Sequence, residues 1–438
     1  MMIRIYSWMC AALLLAGCGS ASGTDGAGGT GGLGATSGAG GAGGQVLAQV
    51  LDPIDGDPAF AVLSTDFTSS AISLLEEDGT LLADEWLTSG STWPTLVAAL
   101  SGDVALPTKQ MGDGSIVVID RLNTDVVSRF DMTTGGLFGQ VRTQGTSSVA
   151  AFSSNPHDCV FVNESSAWVS RYEPSFEEAP EPEVAGTDLL EIDPRAMMLT
   201  GNRVDLSSFN EEVDGVMAYA RPDRLVRLGD FLLTGLDGLS ADFTAALPGK
   251  VVVVEIATGD ATGFSLPGVK ACGMVVPIPG VDNRAFVSCR GASPTFDAVE
   301  QRMTAGLFVV EIDRDGVASI VRSWLPSSDP GAASSVGNIV PLNDREVIAV
   351  ANGDFVTTTD EAYVLDVETG DQILLFSIPG SFEIGEGAYD PESELLLIPV
   401  STEGVRMYGG DGSTFELIDT VEVSQSSGLG AIVVSSLR

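Results

Sequence analysis

The chain has 438 residues, 44% of them hydrophobic, with 52 Gly and 21 Pro. That is enough to bury a large core, and the turn formers are too many for long helices. Sixty Asp and Glu oppose 21 Lys and Arg, a formal charge of -39; such a surface repels phosphate backbones and argues against nucleic acid as a partner.

At the N-terminus, Arg4 precedes an apolar run that reaches Leu15. The run is about a dozen residues, short of the roughly 20 that a spanning helix needs, and reads as a secretory signal. It ends in Leu15-Ala16-Gly17-Cys18, which resembles the bacterial lipobox. That resemblance implies removal of residues 1–17, lipidation of Cys18 and a membrane as partner through the lipid anchor. Gly19, where an Asp would favour inner-membrane retention, implies the cell envelope's outer membrane. Residues 18–44 are mostly Gly, Ala, Ser and Thr, the composition of a flexible tether. The folded domain is expected over 45–438.

From there the chain reads as short β-branched and aromatic runs between Gly, Asn and Asp turns, grouped in fours. The first group holds Ala59–Ser64, Ala71–Leu75 and Leu81–Leu87, and lacks one strand. The second is expected as Thr95–Ala99, Val104–Pro107, Ser115–Asp120 and Val126–Met132, with Thr133–Asp158 unplaced. A third spans Cys159–Asn163, Ala167–Tyr172, Asp188–Ile192 and Arg203–Leu206, and a fourth Arg224–Leu228, Phe231–Gly235, Lys250–Ile256 and Thr262–Leu266. The fifth is Ala271–Val276, Ala285–Cys289, Leu307–Ile312 and Ala318–Trp324. The clearest, the sixth, is Asn338–Pro341, Val347–Ala351, Ala362–Asp366 and Gln372–Ile378. Gly387–Tyr389, Leu395–Pro399, Gly404–Met407 and Phe415–Val421 make the seventh, and the terminal Gly430–Ser435 supplies the strand missing from the first.

The fold class is therefore all-β: a β-propeller of seven four-stranded blades whose N- and C-terminal strands share a blade, a closure that leaves no open seam, with six or eight blades, or two stacked sandwich domains, as the alternatives. Third strands are expected to carry the recurring IVVID, LLEID, VVVEI, FVVEID and YVLD. The pattern resembles the YVTN/NHL-type β-propeller family, with IAVANGD (348–354), AWVSRY (167–172) and AFVSCRG (285–291) at the position of its YVxN-like stretch. Lipobox, tether and divergent propeller together resemble surface lipoproteins common in myxobacteria and their relatives. The match transfers no site residues.

Cys272 and Cys289 flank a hairpin whose register, Val276 opposite Ala285 and Met274 opposite Val287, sets the two thiols face to face; a disulfide is expected in an oxidising compartment. Cys159 is left as a buried thiol. The single histidine, His157, lies in Asn155-Pro156-His157-Asp158 and reads as a loop histidine. With no second histidine and no Cys-x-x-Cys, zinc and haem sites are disfavoured, and no catalytic or metal-binding residue is assigned. No cofactor is expected. Calcium is the alternative, through Asp52, Asp55 and Asp57, Asp313 and Asp315, or Asp354, Asp360 and Glu361.

The candidate binding loop is the insertion 173–186, with Glu173, Glu177, Glu178, Glu181 and Glu183. Insertions 235–249 and 291–306 occupy the same place in their blades and are expected on the same rim. The function that follows is a monomeric, lipid-anchored propeller acting as a non-catalytic binding or scaffold module for an envelope protein or glycan. Two alternatives stand beside it: a propeller-type hydrolase or lactonase using carboxylates and calcium, and a passive structural lipoprotein.

Overall fold

In the computed structural model, residues 51–438 are described, apart from 94–95, 145–152, 177–179, 182–183, 293–297, 327–335, 353–358 and 411–413. The signal segment, Cys18, the tether, Asp354 and the carboxylates Glu177, Glu178 and Glu183 lie outside the described residues. The described chain forms seven four-stranded antiparallel sheets and one small three-stranded sheet. The seven sheets are the blades of a β-propeller.

Each blade runs from an inner strand to an outer one in chain order, except the first. There Gly430–Ser436 is the inner strand and pairs with Phe60–Thr65, so the two ends of the folded chain close the ring in one sheet. The core is divided in the same way. Every interface between adjacent blades holds its own apolar cluster, seven in all. Strand alternation explains this. In blade two, Ile116 and Val118 pack toward blade one, whereas Val117 and Ile119 pack toward blade three. A strand buried on both faces must be apolar throughout, which is why the middle strands lack a polar face.

Blade two differs from the expected order. Its strands are Val104–Ala105, Ser115–Asp120, Val126–Asp131 and Gly136–Arg142. Leu96–Ala99 forms no ladder; the Gln140 side chain accepts from the Val97 and Ala98 amides and donates to the Ala98 carbonyl, tying the segment to the outer strand. The outer strand was hidden by its glycines. Gly139 is required there, because a Cβ would stand 2.9 Å from the Met197 side chain of the neighbouring blade. The IVVID run is thus a second strand, while the other four signatures are third strands, as expected.

Cys272 and Cys289 are bonded, with Cα atoms 3.9 Å apart. The hairpin register is shifted one residue from the expected one: Val275 lies opposite Val287 and Pro277 opposite Ala285. Cys272 precedes the inner strand Met274–Pro277 and reaches Cys289 from the strand's approach. Cys159 is buried between blades two and three, where burial and then Asp158 push its thiol well above the ordinary range; it is a packing residue.

Candidate active site at the channel mouth

In an antiparallel blade the connection between second and third strands emerges at the end where the inner strand begins. Insertions 173–186, 235–249 and 291–306 therefore leave their blades at this end, as the sequence implied. Phe176 meets Tyr219 edge-on at 5.4 Å, and Lys270 reaches Glu300 at 3.7 Å. The second insertion contributes Leu239–Ser240 to the three-stranded sheet, completed by Glu211–Val213 and Val216–Tyr219.

Blades three, four and five enter their inner strands in the same way. Asn155, Arg221 and Ala271 each take a positive φ, at 47°, 49° and 53°. Each carbonyl then accepts from a residue at or near the end of the second strand of its blade, the amides of Tyr172, Asp237 and Arg290 respectively. This equivalence aligns His157, Asp223 and Gly273 as one tier, two residues further on. Asp158, Arg224 and Met274 form the tier below. Pro156 and Pro222 open the first two strands, a position where a missing N–H costs nothing.

The upper tier is a dyad. His157 Nδ1 lies 2.7 Å from Asp223 Oδ1, and the two side chains are only 16% and 20% exposed. A carboxylate only accepts, so the proton between them sits on Nδ1, and Nε2 is the ring nitrogen left facing away from Asp223. Burial opposes ionisation of Asp223, but His157, Arg224 and Arg290 outweigh it and hold its carboxyl well below the usual range. The imidazole stacks on Tyr172, centroids 4.1 Å apart and planes 8° from parallel. Tyr172 Oη donates to Asp237 Oδ2 at 2.9 Å, and Arg290 Nη2 pairs with the same oxygen. Burial, then the Asp237 charge, push the Tyr172 hydroxyl well above its ordinary value, so it stays a donor.

Below the dyad, Arg224 crosses the channel. Its guanidinium pairs with Glu386 of blade seven and donates to the Leu106 carbonyl of blade two at 3.2 Å. Burial pushes Glu386 upward, Arg224 pulls it back, and Asp158 and Asp223 add to the rise. Asp158 is a fastener: its oxygens accept from the amides of Thr108, Cys159 and Leu225 and from the Thr108 hydroxyl. Above the dyad, Arg221 meets Glu173 at 2.7 Å and stacks over Tyr172 and Phe243.

Gly273 occupies the position of His157 and Asp223 in blade five. A Cβ there would stand 2.5 Å from Asp223 Oδ2 and 2.6 Å from Asp237 Oδ1. Gly273→Ala is therefore expected to displace both carboxylates and to cut activity at least tenfold while the cooperative melt survives. Parallel assay and circular dichroism melting check this; full activity would mean that the carboxylates tolerate movement.

The loop histidine expected from the sequence is thus a strand residue at the channel mouth, held by a carboxylate 66 positions away. Glu173 is engaged by Arg221, and the Glu181 carbonyl accepts from the Val184 amide within the loop. The calcium candidates do other work: Asp313 caps its own turn through the Asp315 and Val317 amides, Asp360 accepts from the Glu383 and Ile384 amides, and Glu361 accepts from Tyr363. Asp52 and Asp55 line a cleft of about 350 Å³ on blade one with Asp84 and Glu85. Among the described residues no group of three or more His, Cys, Asp and Glu side chains is placed to hold a metal ion.

No family model matches the chain, and no curated protein matches it. Solved structures do. The periplasmic gluconolactonase of Pseudomonas aeruginosa is similar at 13% identity over 87% of this chain and 99% of its own, with a TM-score of 0.55. A candidate 6-phosphogluconolactonase from Bacteroides uniformis gives 13%, 86%, 99% and 0.55. One from Bacteroides fragilis gives 11%, 88%, 99% and 0.53. At these identities the likeness shows the propeller fold alone.

Proposed function

We propose that the chain is a hydrolase that opens lactone rings with water at the channel mouth. The observation that carries this reading is the His157–Asp223 dyad, set beside a partly exposed guanidinium. Nε2 of His157 accepts a proton from water while Asp223 holds Nδ1–H and stabilises the imidazolium that forms. The resulting hydroxide adds to the lactone carbonyl. Arg290, whose side chain is 37% exposed and is engaged with Asp237 through Nη2, donates to the developing oxyanion. The imidazolium then returns the proton to the ring oxygen as the C–O bond breaks, giving one hydroxy acid from one lactone and one water. Ser170 is no nucleophile here, because its hydroxyl donates to the Asp223 carbonyl at 2.6 Å.

The names of the similar structures agree with this chemistry and favour the hydrolase alternative over a non-catalytic module. The residues differ from the expected carboxylate-and-calcium set, since the base is an imidazole. The N-terminal lipobox adds a proposed address, the cell envelope, with Cys18 as anchor. The test is ring opening of five- and six-membered lactones by the purified chain, followed by acid release. Turnover above the buffer rate supports the reading; none across the panel overturns it.

A further inference from the structure

We infer that the site takes an uncharged, hydroxylated lactone and rejects one bearing a phosphate or carboxylate. This rests on the lactone-hydrolase reading and names its substrate class. Three arginines gather at the mouth, which at first suggests an anion site. Each is already matched by a carboxylate: Arg221 by Glu173, Arg224 by Glu386 and Arg290 by Asp237. Two further carboxylates lie beside them without an ion-paired guanidinium: Asp223, held by His157, and Asp158, whose oxygens accept from Thr108 and from backbone amides. Five acids thus oppose three guanidiniums around one imidazole. Lys270, which precedes the blade-five entry, is turned to Glu300.

A phosphate dianion entering this ring finds no unmatched cation. It must share a guanidinium with a carboxylate already paired to it, and one of these, Asp237, is only 2% exposed with its Oδ1 lacking a hydrogen-bond donor. Bringing like charges together in a poorly hydrated site is unfavourable and works as discrimination. The surplus also fits something positively. Carboxylates at the solvent edge of the mouth, such as Glu173 at 20% exposure, are acceptors, and sugar-like hydroxyls are donors that carry no charge. The protein's overall -39 charge adds repulsion of anions at long range.

The experiment compares gluconolactone with its phosphate ester, 6-phosphogluconolactone, on the full chain purified in detergent. The expected result is a kcat/KM at least about 100-fold higher for the uncharged lactone. In Glu173→Gln, which lightens the negative charge at the solvent edge of the site, the ratio should narrow, more at low than at high ionic strength. Asp237→Asn should narrow it further if it folds; Glu173→Gln keeps the test intact if it does not. Preference for the phosphate ester would overturn the inference and leave the lactone-hydrolase reading standing. Hydrolysis of neither would overturn both. Equal rates with no response to Glu173→Gln would show that the charge balance does not select.

Discussion

Replacing His157 with Asn is expected to lower kcat for lactone opening by about 10²–10⁴-fold, the range for removing a positioned general base. KM should change little, since the imidazole acts on water. The effect is large because nothing can substitute: His157 is the chain's one histidine, and the other mouth acids are committed to arginines or backbone amides. Asp223→Asn should cost less than His157→Asn but more than tenfold. An Asn can present its NH₂ to Nδ1, which turns the imidazole to the tautomer with a proton on Nε2 and blocks the base. Measuring both variants beside the double variant separates a dyad from two independent sites. For a dyad the double variant is no worse than His157→Asn; multiplied losses would contradict it.

The second large effect concerns stability. Arg224→Met should destabilise the fold by about 3–5 kcal/mol, because it leaves Glu386 buried without its cation. Arg224 and Glu386 are 13% and 14% exposed, so solvent screens the pair little. The loss has a pH signature. Glu386 is already raised by burial, and without Arg224 it rises further. A carboxyl with a raised folded pKa binds its proton more tightly in the folded state, so stability falls as pH climbs from the unfolded pKa through the folded one. The deficit in urea midpoint should be largest near neutrality and shrink toward acid. Arg224→Met with Glu386→Leu should recover most of it. A deficit independent of pH, or no recovery in the double variant, would show that the packing of Arg224 matters more than its charge.

Much of the fold was legible because the physics is local. Turn residues bounded the strands, and burial on both faces made middle strands such as Lys250–Ile256 apolar runs. Closure by Gly430–Ser435 followed from a blade that was one strand short. Blade two failed where packing against Met197 demanded a glycine inside an outer strand, so Gly136–Arg142 carries no strand signal within the unplaced Thr133–Asp158. The disulfide pair was found although the ladder register was off by one, because Cys272 sits just before the strand.

The site was less legible, because it is assembled by the ring. His157 and Asp223 come from different blades, and no local motif joins them. A signal was nonetheless present. Pro156-His157-Asp158 and Pro222-Asp223-Arg224 open equivalent strands with a proline followed by two polar residues, where an inner strand would otherwise be apolar. Superposing blade entries, rather than searching for catalytic motifs, would have set imidazole beside carboxylate. The glycine at the third equivalent position, Gly273, completes that pattern by making room for both acids.

The most direct measurement is nitrogen NMR of the full chain labelled with ¹⁵N-histidine. One histidine gives one pair of ring signals with no assignment problem. At the pH of catalysis, the dyad predicts a proton on Nδ1, held by Asp223, and a bare Nε2 whose resonance moves when a lactone analogue binds. A proton on Nε2 in the resting protein, in either a neutral or a cationic ring, would contradict the assignment of His157 as the base.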